Sequence, residues 1–381
     1  MSKRSLETQL IYLGSRPDPQ HGAVCPPIVQ SSTFAHSAPG VYDYDYTRTD
    51  NPTRSVLQSM LAAAEGAKHA IAVSSGMAAV DCVFSLLSAG DHVITGDDIY
   101  GGTYRYLVDI ASTRGITFDF VPMREDRLRA AVRPNTKMIW FESPTNPLLN
   151  LVDIEMVVKV AKDNGLFTCI DNTFMSSYFQ QPLALGVDYV MHSMTKYLNG
   201  HSDVIMGAVM TNDDAGYERL KYTQNAVGAT CSPLDAFLAI RGLKTLGVRM
   251  RQHELNAIAV ANHLSNHPKV EKVLFPGLPD HPHHQLGKKQ MTGWGGMVSF
   301  YVKGDVEATK KFLCSTNLFT LAVSLGGVES LIEQPATMTH FEMPREVRES
   351  VGITDNLVRA SIGIESADDL IQDLDQALAQ I

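Results

Sequence analysis

Cysteine is scarce in this sequence, and poorly placed for cross-linking or metal binding. The five residues (Cys25, Cys82, Cys169, Cys231 and Cys314) are odd in number, scattered and never in a Cys-x-x-Cys pair. That excludes a disulfide framework and reads as reduced thiols. No apolar run approaches the roughly 18 residues that a membrane helix needs, and the opening Met1–Glu7 has no apolar leader core. Positive charge is also short. The 32 lysines and arginines face 41 aspartates and glutamates, for a net charge of −9. Such a balance argues against a nucleic-acid or anionic-membrane surface. The expectation is a cytoplasmic protein acting on small molecules. Internal repeats and low-complexity tracts are missing as well.

What is present is an ordinary globular composition, 44% hydrophobic and 19% charged. With 381 residues the chain exceeds the about 250–300 that a single core serves, so two domains are expected. Residues 1–52 are rich in proline and without periodicity. They read as a loop or as an arm lying on another subunit. From Thr53 to about Gly66 the pattern is helical. Strand-like runs follow at 69–73, 92–94, 117–121, 138–141, 167–170 and 187–191, separated by helical stretches at 77–87, 104–114, 125–132 and 154–164. This alternation predicts an α/β domain over 53–233, with a mostly parallel sheet covered on both faces. A long, kinked helical stretch from Leu234 to Leu264 leads into a smaller α+β domain over 234–381. Its strands are placed at 297–302, 319–323 and 357–362 and its helices at 306–314 and 367–378.

Sites in open α/β sheets gather at the carboxyl ends of strands, and the chemically marked residues fall there. Ser75 follows one strand, Tyr100 the next, then Glu142 with Asn146, and then Asp171. The segment Ser193-Met194-Thr195-Lys196-Tyr197-Leu198-Asn199-Gly200 follows the last. An aspartate at one strand end and a lysine after the next suit pyridoxal 5′-phosphate (PLP). The amine condenses with the aldehyde, and the carboxylate keeps the pyridine nitrogen protonated. A carboxylate ending an apolar strand is costly without a cation. Ser75-Gly76-Met77 opens a helix, where free N–H groups suit a phosphate, although Ser75 is equally natural as an N-cap. It is not a Gly-x-Gly-x-x-Gly turn, which disfavours a dinucleotide. Arg359 lies in a strand-like run and needs an anion if buried. His281-Pro282-His283-His284 lacks the fixed spacing of a zinc site and reads as a polar surface loop, so no metal is expected.

Five further motifs occur in order. They are Tyr46-Thr47-Arg48-Thr49-Asp50-Asn51-Pro52-Thr53, Ser74-Ser75-Gly76-Met77-Ala78-Ala79, Tyr100-Gly101-Gly102-Thr103, Glu142-Ser143-Pro144-Thr145-Asn146-Pro147 and Ser324-Leu325-Gly326-Gly327. With the lysine segment they resemble the cysteine/methionine-metabolism family of PLP enzymes, from about Leu6 to the C-terminus. The resemblance implies the PLP-dependent transferase fold, aspartate aminotransferase-like, and a carbon–sulfur lyase of trans-sulfuration. It implies that Lys196 carries the cofactor and that the amides of Gly76 and Met77, with Ser75, Ser193 and Thr195, hold its phosphate. Tyr100 would stack on the ring and act as acid or base, Asn146 would bond the ring oxygen and Asp171 its nitrogen. Tyr46 and Arg48 would reach the phosphate of a neighbouring subunit, which implies a homo-oligomer, a tetramer built from dimers. Arg359, Ser324 and Asn146 would hold the substrate carboxylate.

Val323 bears on substrate. Similar γ-lyases and γ-synthases have a glutamate there, suited to the distal ammonium of cystathionine. Methionine γ-lyases and plant-type β-lyases have an apolar residue. Gly102 and Ser202, in contrast, look like the cystathionine enzymes. Cystathionine γ-lyase-like cleavage is the favoured reading, with methionine γ-lyase, cystathionine β-lyase and γ-replacement as alternatives. A non-catalytic PLP-fold subunit is the alternative of another class, and the colour of a bound cofactor discriminates it.

Overall fold

The computed structural model describes residues 4–341 and 343–381; Met1, Ser2 and Lys3 of the amino-terminal reading lie outside them. Seven strands form the larger sheet: β1 (His69–Val73), β2 (His92–Gly96), β3 (Thr117–Val121), β4 (Thr136–Glu142), β5 (Phe167–Asp171), β6 (Tyr189–Ser193) and β7 (Gly207–Thr211). Their spatial order is β1-β7-β6-β5-β4-β2-β3. Strand β7 is antiparallel to both β1 and β6, so the other six point the same way. Their carboxyl ends therefore share one edge of the sheet.

Side-chain alternation explains why both faces are covered. In β4, Met138 and Trp140 enter one apolar cluster, while Ile139 and Phe141 enter another on the opposite face. The helix Gly76–Phe84 packs with the first cluster, and Pro52–Glu65 and Ile154–Asp163 with the second.

A second sheet runs β10-β11-β12-β9-β8, from β8 (Val270–Leu274), β9 (Met297–Val302), β10 (Thr320–Leu321), β11 (Leu331–Glu333) and β12 (Leu357–Ser361). Val298, Phe300, Val358 and Ala360 face helices Leu246–Ser265 and Ala367–Leu378. The stretch read as one kinked helix from Leu234 is two, Pro233–Leu243 and Leu246–Ser265.

Three further expectations need correction. The proline-rich start contains a helix, Leu6–Leu13, capped by the Ser5 hydroxyl on Thr8 N–H; only Leu10 in it is buried, so its periodic signal is weak. The strand placed at 319–323 shrinks to Thr320–Leu321. The histidine loop is not a surface loop. His281 and His284 are buried, His284 donates through Nδ1 to the Pro276 carbonyl, and its ring stacks on Trp294. A pattern of polar residues near a proline hides such packing, because imidazole is as much a flat apolar ring as a charge.

One glycine ties this architecture to the lysine segment. A Cβ on Gly242 would overlap the carbonyl oxygen of Asn199, so the helix Pro233–Leu243 lies directly on the backbone of the Lys196 loop. Gly242→Ala is expected to lower stability by about 1–3 kcal/mol through overpacking, read as a lower urea midpoint with unchanged slope. An unchanged midpoint would mean that the helix yields freely.

Candidate active site

A cavity of about 290 Å³ opens where the carboxyl ends of the parallel strands meet the second sheet. It is lined by Ser75, Gly76, Met77, Tyr100, Asn146, Asp171, Ser193, Thr195, Lys196, Val323, Ser324 and Arg359. Segments more than 280 residues apart are thus brought together. Tyr46 and Arg48 are not among them. They line a separate cleft with Gln30, Ser31, Ser32, Gly228 and Thr230.

Lys196 sits in a turn just beyond β6. Its Nζ donates to Ser324 Oγ at 2.6 Å. Burial, with the Arg359 cation second, pulls the ammonium down from 10.5 to about 8, while Glu333 and Asp171 oppose this. Ser324 itself has φ of 94°, a left-handed conformation that a serine adopts only when its surroundings impose it. Gly326 shows what imposes it. A Cβ there would lie 2.7 Å from Tyr197 N and 3.1 Å from the Lys196 carbonyl carbon. The Ser324–Gly326 turn is therefore pressed against the lysine's own backbone.

Asp171 ends β5 and accepts two hydrogen bonds from Thr173, from its N–H at 3.0 Å and its hydroxyl at 2.5 Å. Burial raises this carboxyl and the Thr173 bonds oppose the shift, as do His192 and Lys196. Glu142 stands beside it across the β4–β5 register. Burial and then the Asp171 charge raise the Glu142 carboxyl well above its ordinary value. Its Oε1 accepts the Tyr100 N–H at 2.8 Å. Burial likewise raises the Tyr100 phenol, which stays protonated at neutral pH. A Cβ on Gly102 would overlap the Tyr100 ring, so this ring position requires a glycine there.

At the phosphate end, Ser75 acts as the N-cap of Gly76–Phe84, its Oγ accepting from Ala78 N–H at 3.0 Å. Gly76 lies close to Ser193, whose Oγ would be 3.1 Å from a Cβ at that position. The Thr195 hydroxyl pairs with the Met206 backbone. Free amides at a helix start beside two hydroxyls and a lysine form a cradle for a phosphate on an aldehyde carrier, so the residues fit PLP.

Arg359 is 2% exposed and donates to Asn146 Oδ1 at 2.8 Å and to the Ser324 carbonyl at 3.0 Å. An anion already faces it: Glu333 Oε1 lies 2.9 Å from Nη2. Removing one partner of such a buried pair costs about 3–5 kcal/mol. Sequence reading missed Glu333, because only the β11–β12 register sets it opposite Arg359. It also missed Thr173, two residues after Asp171, and Arg54. Buried Arg54 donates to the Thr47 and Arg48 carbonyls and fixes the arm. Ser202, used above as a marker of substrate type, does not line the cavity; its hydroxyl donates to Glu329 instead.

A lysine with a folded pKa of about 8 against 10.5 for the exposed group burdens the fold while protonated. The unfolded chain binds more protons between these values, so the burden is full below pH 8 and fades as pH rises towards 10.5. Lys196→Met is therefore expected to raise the melting temperature of cofactor-stripped protein at pH 7, with a smaller gain at pH 10. An equal gain at both pH values would contradict the burial of a charge.

Comparison with known proteins agrees with this geometry. The family model for Cys/Met metabolism PLP-dependent enzymes matches residues 7–379. A cystathionine gamma-lyase of Dictyostelium discoideum is 50% identical, covering 97% of this chain and 97% of its own. A cystathionine beta-lyase of Coxiella burnetii is 48% identical over 99% and 98%. The crystal structure of cystathionine gamma synthase from Xanthomonas oryzae pv. oryzae superposes with a TM-score of 0.97 at 43% identity, covering 100% of this chain and 99% of that one. A cavity that fits PLP, the fold around it and a match along almost the whole chain lead to one conclusion: this protein belongs to the Cys/Met metabolism family of PLP-dependent enzymes.

Proposed function

We propose that the protein is a cystathionine γ-lyase, which cleaves cystathionine with water to cysteine, 2-oxobutanoate and ammonia. The observation that carries this is the convergence of Lys196, Asp171, Tyr100 and Arg359 on one cavity. The names of the similar proteins supply the substrate class. Bound PLP supplies an electron sink next to the substrate amine.

The chain's own residues do the rest. Lys196 would hold the cofactor through its aldehyde and, with its amine free, would serve as the base for the Cα proton and then a Cβ proton. Its lowered pKa leaves a useful neutral fraction near pH 8. Ser324 Oγ keeps that amine in place. Tyr100 would stack on the ring and, still protonated, would deliver a proton to the departing sulfur. Asp171 would hold the ring nitrogen's proton. Asn146 spends its Oδ1 on Arg359, which leaves its amide N–H groups for the ring oxygen. Gly76, Met77, Ser193 and Thr195 would hold the phosphate, with Ser75 capping the helix. Arg359 and Ser324 take the substrate carboxylate. The unpartnered Arg359 Nε supports this, since a buried donor needs an acceptor. In this division residues 53–233 bind the cofactor, and residues 234–381 bring the carboxylate site.

The arm of residues 1–52 exposes Val24, Val41, Tyr42 and Tyr46, and Tyr46 and Arg48 sit away from the chain's own Lys196 cavity. Both features support a homo-oligomer, a tetramer of dimers in which these two residues complete the neighbour's phosphate site. The free thiols and net charge of −9 support a cytoplasmic setting. Among the described residues no helix is long and apolar enough to cross a membrane.

Val323 gives a second reading its ground. It is 54% exposed on the cavity lining and carries no charge for a distal ammonium, so side activity on methionine and homocysteine is expected. A product assay with cystathionine, methionine, homocysteine and O-acylated homoserine separates γ-elimination from β-elimination and γ-replacement. A charge-assisted bond contributes about 1.5–3 kcal/mol, roughly ten- to a hundredfold. Val323→Glu should move the kcat/KM ratio towards cystathionine by that order; an unchanged ratio would remove Val323 from the distal site. For the shared site, mixing an Arg48→Ala chain with a Lys196→Ala chain should restore part of the activity. No recovery despite proven subunit exchange would place Arg48 outside its neighbour's site.

A further inference from the structure

Arg359 reaches the cavity from β12, and Glu333 stands directly opposite it on β11. Neither residue is more than 2% exposed. Arg359 lines the cavity and Glu333 does not, so the carboxylate holds the guanidinium from behind. Glu333 Oε1 is fixed in turn by the Thr339 hydroxyl at 2.8 Å. Arg359 is thus tied at Nη1 to Asn146 and at Nη2 to Ser324 and Glu333, with Nε left over.

We propose that Glu333 is a positioning residue of the carboxylate site: it shares the charge of Arg359, and so limits both the grip of that guanidinium on a substrate carboxylate and its repulsion of Lys196. The proposal rests on the reading of Arg359 as the substrate-carboxylate group. A bare buried guanidinium would seize any anion and hold it, which slows product departure. It would also depress a neighbouring ammonium. The charged groups that act on Lys196 come from three strands: Arg359 lowers it, while Glu333 and Asp171 raise it. His340, which also faces Arg359, is pushed down to about 4 by burial and then by Arg359. It is therefore neutral and adds no second positive charge, and the carboxylate paired with the guanidinium is that of Glu333.

Glu333→Gln keeps the shape and an acceptor for Nη2 while it removes the charge. In the cofactor-loaded protein, two spectral quantities are measured. One is the pH midpoint of the visible absorption band; the other is the glycine concentration that half-saturates the spectral change. The midpoint should fall by about one pH unit, and glycine should bind about tenfold more tightly. A purely structural role would lower the melting temperature and move neither quantity, and that result overturns the proposal. Arg359→Gln is the control. If it leaves glycine binding unchanged, the carboxylate reading itself fails. If it abolishes glycine binding while Glu333→Gln changes nothing, only the role of Glu333 fails. Should Glu333→Gln not fold, Glu333→Asp keeps the charge but withdraws it from Arg359. Its midpoint should also fall, by less, and an unmoved midpoint counts against the proposal.

Discussion

The site depends on one constraint: three ionisable groups of mixed sign surround the Lys196 amine, which burial desolvates. In such surroundings a charge is tolerated only beside its opposite. Asp171 comes from the larger sheet and the Arg359–Glu333 pair from the second. The balance leaves the amine near the point where it can lose its proton. Glu142 stands next to Asp171, where burial and the Asp171 charge both raise its carboxyl, and its Oε1 supports the Tyr100 backbone.

Strand direction is what delivers these groups. Six strands of the larger sheet point one way, and Glu142, Asp171 and Ser193 are each the last residue of one of them. An antiparallel sheet would have scattered the same residues over two edges. The second sheet closes the cavity from across, with Arg359 in the middle of β12 and Ser324 in the turn before β11.

Much of this was legible beforehand. Apolar runs ending in Asp171 or followed by Ser75 and Lys196 announce both the strands and their functional edge, because burial and period 2 are local properties. The motifs around Tyr100 and Asn146 are contiguous, and so readable. Glu333 was not legible, since its partner is 26 positions away and only the register of β11 and β12 joins them. The burial of His281 and His284 escaped for a similar reason: Trp294 and the Pro276 carbonyl, which make it favourable, are brought near by the fold. The short helix Leu6–Leu13 escaped because a helix with one buried residue carries almost no periodic signal.

The contact at Gly326 has a mechanical side. This residue belongs to the turn before β11, yet it lies against the peptide between Lys196 and Tyr197, and its N–H is bonded to Ser361 at the end of β12. The Val328 N–H bonds in addition to the Gly200 carbonyl. The lysine loop and the second sheet are therefore joined backbone to backbone, not merely side chain to side chain. Any rocking of the two halves about the cavity is carried into the Lys196 peptide itself.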